Sequence, residues 1–162
     1  MRNPSSPRIS VRNLQRKIRI NVGELENFAA MAVQRCVQLR KQKRTDLRSL
    51  PEVFIWLISD RRMARLHRQF LGKTGPTDVL TFQHGEIFVS VETARRHARV
   101  FGEEDPRRGP RVHGGRNSLL LELKLYIVHG LLHLHGFEDR TQAEARKMKT
   151  AHEKILRCAL EC

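Results

Sequence analysis

The sequence predicts an α+β fold: one domain, built from a small mixed sheet of about four strands packed with about five helices. Three observations carry this. The chain has 162 residues, enough for one domain with a real core. Short alternating or β-branched runs occur in its first 91 residues, with helical stretches between and after them. No internal repeat is present, so the order β-α-β-α-β-β-α-α-α describes one unit rather than an array.

Residues 1–8 are polar and proline-containing and read as a flexible tail, with the domain spanning 9–162. Ile9–Asn13 and Lys17–Ile20 alternate apolar and polar residues, which predicts a strand or hairpin near a sheet edge. From Val22 to about Leu39 the apolar residues Leu25, Phe28, Ala29, Ala32, Val33, Cys36 and Val37 recur at helical spacing. A basic loop follows over residues 40–48. Val53–Ile58 is a compact β-rich run and reads as a central strand. Ser59 or Asp60 caps a helix through Phe70 that carries Arg61, Arg62, Arg65 and Arg68. Leu71–Pro76 is a turn by its glycines and proline. Asp78–Phe82 and Glu86–Val91 are two short strands, and helical character resumes from Glu92 to Phe101. Residues 103–117, with two prolines, three glycines and four arginines, form a long loop. Ser118 caps an apolar helix. Thr141-Gln-Ala-Glu144 is a capping box for a last helix to about Leu160.

Composition narrows the function. Lys and Arg number 31 against 17 Asp and Glu, a formal net charge of +14. Such a surplus favours a polyanionic partner through counterion release. The three cysteines, Cys36, Cys158 and Cys162, lack the spacing of a disulfide framework and fit a reducing cytoplasm. Cys158 and Cys162 share a helix face, a pattern better read as small apolar residues than as a metal site. The opening residues contain no apolar secretion segment. The apolar run around Leu119–Leu134 is shorter than the ~20 residues of a membrane span and contains Glu122, Lys124, His129 and His133. A membrane role is therefore not expected, and no nucleotide cofactor is.

The chemistry lies in His129-Gly-Leu-Leu-His133-Leu-His135-Gly136-Phe-Glu-Asp139. Histidines four apart put both imidazoles on one helix face, one turn apart, where they can share a metal. Gly136 can adopt a left-handed conformation and reverse the chain. Asp139 then stands where the pattern H-E-x-x-H-x-x-G-x-x-H returns its third ligand. The helix is thus zincin-like, with His129, His133 and Asp139 as ligands of zinc or another divalent transition metal. The glutamate of that pattern, the peptidase general base, is replaced by Gly130, which cannot take a proton. His135 projects from another face, as a surface residue or one supporting the ligands from behind.

These residues resemble the YbeY family of single-domain endoribonucleases. That family's signature is H-G-x-x-H-L-x-G, then an aromatic, D and H. A second block, P-T-D-V-L-S-F followed by G-D and I or L, corresponds to Pro76-Thr-Asp-Val-Leu-Thr-Phe82 and Gly85-Glu-Ile87. The Val-Leu-Thr-Phe strand would line the cleft beside the metal helix. The resemblance covers roughly residues 9–160. It implies a single-strand-preferring, metal-dependent endoribonuclease that matures the 3′ end of 16S rRNA, acts in ribosome quality control and meets the small ribosomal subunit. The chain departs from the family at Asp139, where the third ligand is usually histidine. It departs again at Leu71, where the family often carries an arginine tied to nuclease activity. No catalytic side chain is carried over, and Arg68 and Lys73 are the candidates that would stand in for that arginine. Metal-activated water would be the reagent. The RNA backbone would be held by Arg61, Arg65 and Arg68 on the helix and by Arg107, Arg108 and Arg111 in the long loop. The alternative is a ribosome-associated RNA-binding factor with a structural metal and little catalysis. A peptidase-like hydrolase is disfavoured by Gly130.

Overall fold

A computed structural model describes residues 6–40, 47–100 and 117–161. The sheet has four strands: β1 (Arg8–Asn13), β2 (Glu52–Ile58), β3 (Val79–Phe82) and β4 (Glu86–Ser90). Their order is β1-β2-β4-β3; β1, β2 and β4 run parallel and β3 is antiparallel to β4. The five helices are α1 (Val22–Cys36), α2 (Asp60–Leu71), α3 (Val91–Val100), α4 (Asn117–Leu134) and α5 (Gln142–Leu160). The element order and the mixed sheet are those the sequence predicts.

Strand parity decides the layers. Val53, Ile55 and Leu57 of β2 and Ile87 and Val89 of β4 point to one face and are fully buried. On that face α1 packs against β1, α4 lies against β3 and β4, and α5 packs on both helices. Among the described residues the opposite face is covered by α2, through Met63 and Leu66 against Ile58 and Leu80. Helix α4 is apolar nearly all round because it is the buried helix of the domain, with Leu123, Ile127, Val128, Leu131 and Leu132 fully enclosed.

Several local expectations are corrected. Strand β1 begins at Arg8, whose amide donates to the Pro51 carbonyl, one residue before the Ile9–Asn13 run that the alternation predicts. Lys17–Ile20 is not a strand and makes no hairpin. The buried Gln15 side chain takes both peptide groups of Ile18, accepting from its N–H and donating to its carbonyl, so the stretch needs no sheet partner. Helix α1 stops at Cys36, where the chain tightens into i→i+3 bonds at Gln38 and Leu39. Helix α4 begins at Asn117, ahead of Ser118. The caps at Ser59 and Thr141 form as expected. The basic residues 41–46, most of the 103–117 loop with Arg107, Arg108 and Arg111, and Cys162 lie outside the described residues. Cys36 is buried, which pushes its thiol up to about 12, and Cys158 is a free thiol on α5.

Candidate metal centre

Helix α4 ends in a Schellman turn. The Phe137 amide donates to the Leu132 carbonyl, the Gly136 amide donates to His133, and Gly136 takes φ 91°. A side chain at 136 would be strained there. The reversal carries Asp139 back over the last turn of α4 before Thr141 starts α5.

The result is a cluster. His129 Nε2 and His133 Nε2 lie 3.0 Å apart, and His129 Nε2 is 3.8 Å from Asp139 Oδ2. Ligand atoms of all three residues fall within 4.8 Å of one another. Donors about 2.0–2.2 Å from a tetrahedral ion are about 3.4 Å apart, and these two separations bracket that value. His133 Nδ1 donates to the Phe137 carbonyl at 2.9 Å, which fixes the tautomer and leaves the Nε2 lone pair facing His129. The donor set, two imidazoles and a carboxylate, suits a divalent transition metal.

Burial pushes the His129 imidazole down to about 4, and neighbouring His133 adds to this against the opposing pull of Asp139 and Asp78. His152 on α5 is lowered as well, chiefly by burial. Both favour the neutral form, so in the metal-free protein their contribution to stability is complete above the ordinary histidine value of 6.5. For His129 it falls away as pH drops from there towards about 4. The loss for His129 is expected to be on the order of 3 kcal/mol. Thermal melts of metal-stripped protein between pH 7.5 and 4 should therefore show a steep decline, shallower in His129→Gln. Equal slopes in the two proteins would refute the assignment.

The cluster opens onto a cleft of about 880 Å³. Asp78, Val79, Leu80 and Thr81 form one wall, as expected for the Val-Leu-Thr-Phe strand, and Gly136–Arg140 forms another. Leu71, 55% exposed, reaches the lining, whereas Arg68 and Lys73 do not. Among the described residues the arginine that does is Arg140, loosely paired with Glu138 at 3.9 Å, beside the acidic Asp78, Glu138 and Asp139 of the same lining. Sequence reasoning missed it, although it immediately follows Asp139. Arg61, Arg65 and Arg68 are exposed on α2.

Two further points correct or sharpen the sequence reading. His135 is not a surface residue. It is fully buried on the side of α4 away from the cluster, and its Nε2 bonds the Leu39 carbonyl at 2.8 Å. Gly130 is a steric requirement: a Cβ there would lie 2.7 Å from Ile87 Cγ2 and 2.9 Å from its Cδ1. Helix α4 can press onto β4 only because that position is bare. The peptidase glutamate is thus excluded by packing.

Three protein donors held on a helix and its reversing turn, facing an open cleft, are the arrangement of a metal-dependent hydrolase. The chain belongs to the YbeY family: the family described as Endoribonuclease YbeY matches residues 10–159. Among curated relatives, the Endoribonuclease YbeY of Gluconobacter oxydans is 33% identical, with 75% of this chain and 67% of that protein covered. That of Chlamydia trachomatis serovar D is 27% identical over 94% of this chain and 88% of its own length. The match to that of an Anaeromyxobacter species, 33% identical, spans 65% of this chain and about half, 53%, of that protein. The solution structure of TM1509 from Thermotoga maritima superposes with a TM-score of 0.51 at 25% identity, covering 91% of this chain and 88% of the other.

Proposed function

We propose that this chain is a metal-dependent endoribonuclease that cuts single-stranded RNA and matures ribosomal RNA in the cytoplasm, with zinc held by His129, His133 and Asp139. The observation that carries the reading is the convergence of those three donors on an open cleft, in a chain of a family described as endoribonuclease. The bound metal would supply Lewis-acid chemistry, activating water and polarising a phosphoryl oxygen. The chain's own residues do the rest. The Phe137 carbonyl holds the His133 ring in its ligating tautomer, and Asp139 balances charge at the exposed side. Arg140 offers the cleft a cation for a phosphate. With the glutamate position closed by Ile87, proton removal falls to solvent or substrate rather than to a side chain at residue 130.

A structural metal in a pure RNA-binding factor would be closed off by a fourth side chain. Among the described residues only three donors gather, and they face the cleft. That supports catalysis over the binding-factor reading, although Leu71 removes one cation from the rim. Peptide hydrolysis is disfavoured by the absent base. No described helix is long and apolar enough to cross a membrane. Metal-loaded protein should cleave single-stranded ribosomal RNA fragments, chelated protein should not, and re-addition of zinc should restore cleavage. Cleavage that survives complete chelation would overturn the reading.

RNA binding is expected to be mainly electrostatic. On single strands, log affinity should fall against log salt with a slope of about −0.7 per phosphate neutralised. Charge reversal at Arg61, Arg65 and Arg68 should weaken binding and flatten the slope, with reversal at Arg107, Arg108 and Arg111 as the comparison. If both triple variants bind RNA as the parent does, at every salt concentration, the basic charge serves another purpose.

A further inference from the structure

The outer face of the sheet carries an unusual share of the chain's aromatic residues. Four of the seven phenylalanines and the single tryptophan are there or at its margin. The main core, by contrast, encloses Phe28, Tyr126 and Phe137. The outer rings form one connected series. Phe54 stacks on Trp56 with centroids 5.5 Å apart, and Trp56 lies 6.4 Å from Phe88. Phe88 meets Phe82 edge-on at 5.7 Å, and Phe82 meets Phe70 at 5.0 Å. His84 stacks on Phe82 at 5.9 Å. The four sheet rings are half-buried, Trp56, Phe82 and Phe88 with one side against the Ile58, Met63 and Leu80 cluster under α2, and Phe70 at the end of α2 is 54% exposed. Its neighbour Leu71 lines the metal cleft. The series therefore runs from the cleft rim across β3 and β4 to β2.

We infer that this face is a stacking track for unpaired RNA bases, along which a single strand is led past Phe70 into the metal cleft. The inference rests on the reading of that cleft as the place where RNA is cut. Two observations choose this occupant. The series ends at Phe70, whose neighbour Leu71 lines the cleft, so a strand laid along the rings reaches the cleft at that end. The charge around it is also complementary to phosphate. Arg8 and Arg12 on β1, beside β2, and Arg61, Arg62, Arg65 and Arg68 on α2 are all exposed. The two carboxylates on the face are already engaged: Glu86 accepts from Trp56 Nε1 and pairs with His84, and Glu52 accepts from Ser10. Aromatic faces take any base, whereas a duplex hides its bases from them. The track accordingly explains a preference for single strands with no base-specific contact, and it places apolar grip at the rim where Leu71 stands.

Trp56 is the only tryptophan, so its fluorescence reports on this face directly. Metal-loaded protein is titrated with a phosphorothioate oligoribonucleotide of about 12 nucleotides, with the same strand annealed to its complement, and with polyglutamate. The unpaired strand should quench Trp56 saturably, and the duplex and polyglutamate should not. Phe70→Ala removes an exposed ring, so the fold should survive, and it should raise Kd for the unpaired strand about tenfold. Phe70→Tyr should restore affinity, and metal content should be unchanged in both. RNA bound or cut with no quenching, and with Phe70→Ala at parental affinity, overturns this inference and leaves the endoribonuclease standing. Quenching without cleavage of ordinary RNA upholds the track and overturns the endoribonuclease. Equal quenching by polyglutamate overturns the track in favour of an acidic protein partner.

Discussion

With alanine at both His129 and His133, the purified chain is expected to carry no zinc, against close to one equivalent in the parent by elemental analysis. Each imidazole supplies one of three donors, and their Nε2 atoms sit 3.0 Å apart, so neither has a replacement within reach among the described residues. Asp139→Ala is expected to weaken zinc by more than the roughly 10- to 100-fold typical of losing an outer partner of a ligand. His135→Ala separates location from chemistry. It should leave zinc affinity near the parental value but lower stability by about 1–3 kcal/mol, because the Leu39 carbonyl loses its buried partner. Zinc retained in full by the double variant would dismiss the site. A zinc titration in which only His135→Ala loses affinity would dismiss Asp139 as the third ligand.

Gly130→Ala is expected to destabilise the fold despite the better helix propensity of alanine. That propensity contributes about 1 kcal/mol in favour of the substitution. Against it stands a Cβ within 3.1 Å of three side-chain atoms of Ile87, a β-branched residue fully buried on β4 with no rotamer freedom to yield. Overpacking of this kind costs about 1–3 kcal/mol, and the net loss should lower the melting temperature by several degrees. Gly130→Glu, which would rebuild the peptidase pattern, adds a buried charge and should prevent stable folding rather than create a protease. Ile87→Ala should partly relieve Gly130→Ala, so a double-mutant cycle should give a smaller loss than the two single losses together. Strict additivity would mean that the two residues do not meet.

The sequence by itself determined the order of elements, the caps at Ser59 and Thr141, and the grouping of His129, His133 and Asp139. Those signals are local: Ser59 and Thr141 act on amides three residues on, and His129 and His133 share a face through helix periodicity alone. The Gly136 turn to Asp139 is just as local, since a left-handed residue after the last helical turn closes a Schellman motif wherever it occurs. Only the tertiary structure decided matters that depend on what a residue meets across the fold. Lys17–Ile20 alternates like a strand, but a buried Gln15 satisfies its backbone first. His135 reads as a residue near the surface or behind the metal site, but it is buried, and the turn that follows α1 bonds it through the Leu39 carbonyl. Gly130 read as a missing base, and its true constraint is Ile87, more than 40 positions away in sequence. Arg140 and the aromatic series became visible only when strand order set β3 beside α4 and left one sheet face thinly covered. Periodicity tells which side of an element is apolar, but the partner against that side is fixed by chain-distant packing, which no local pattern encodes.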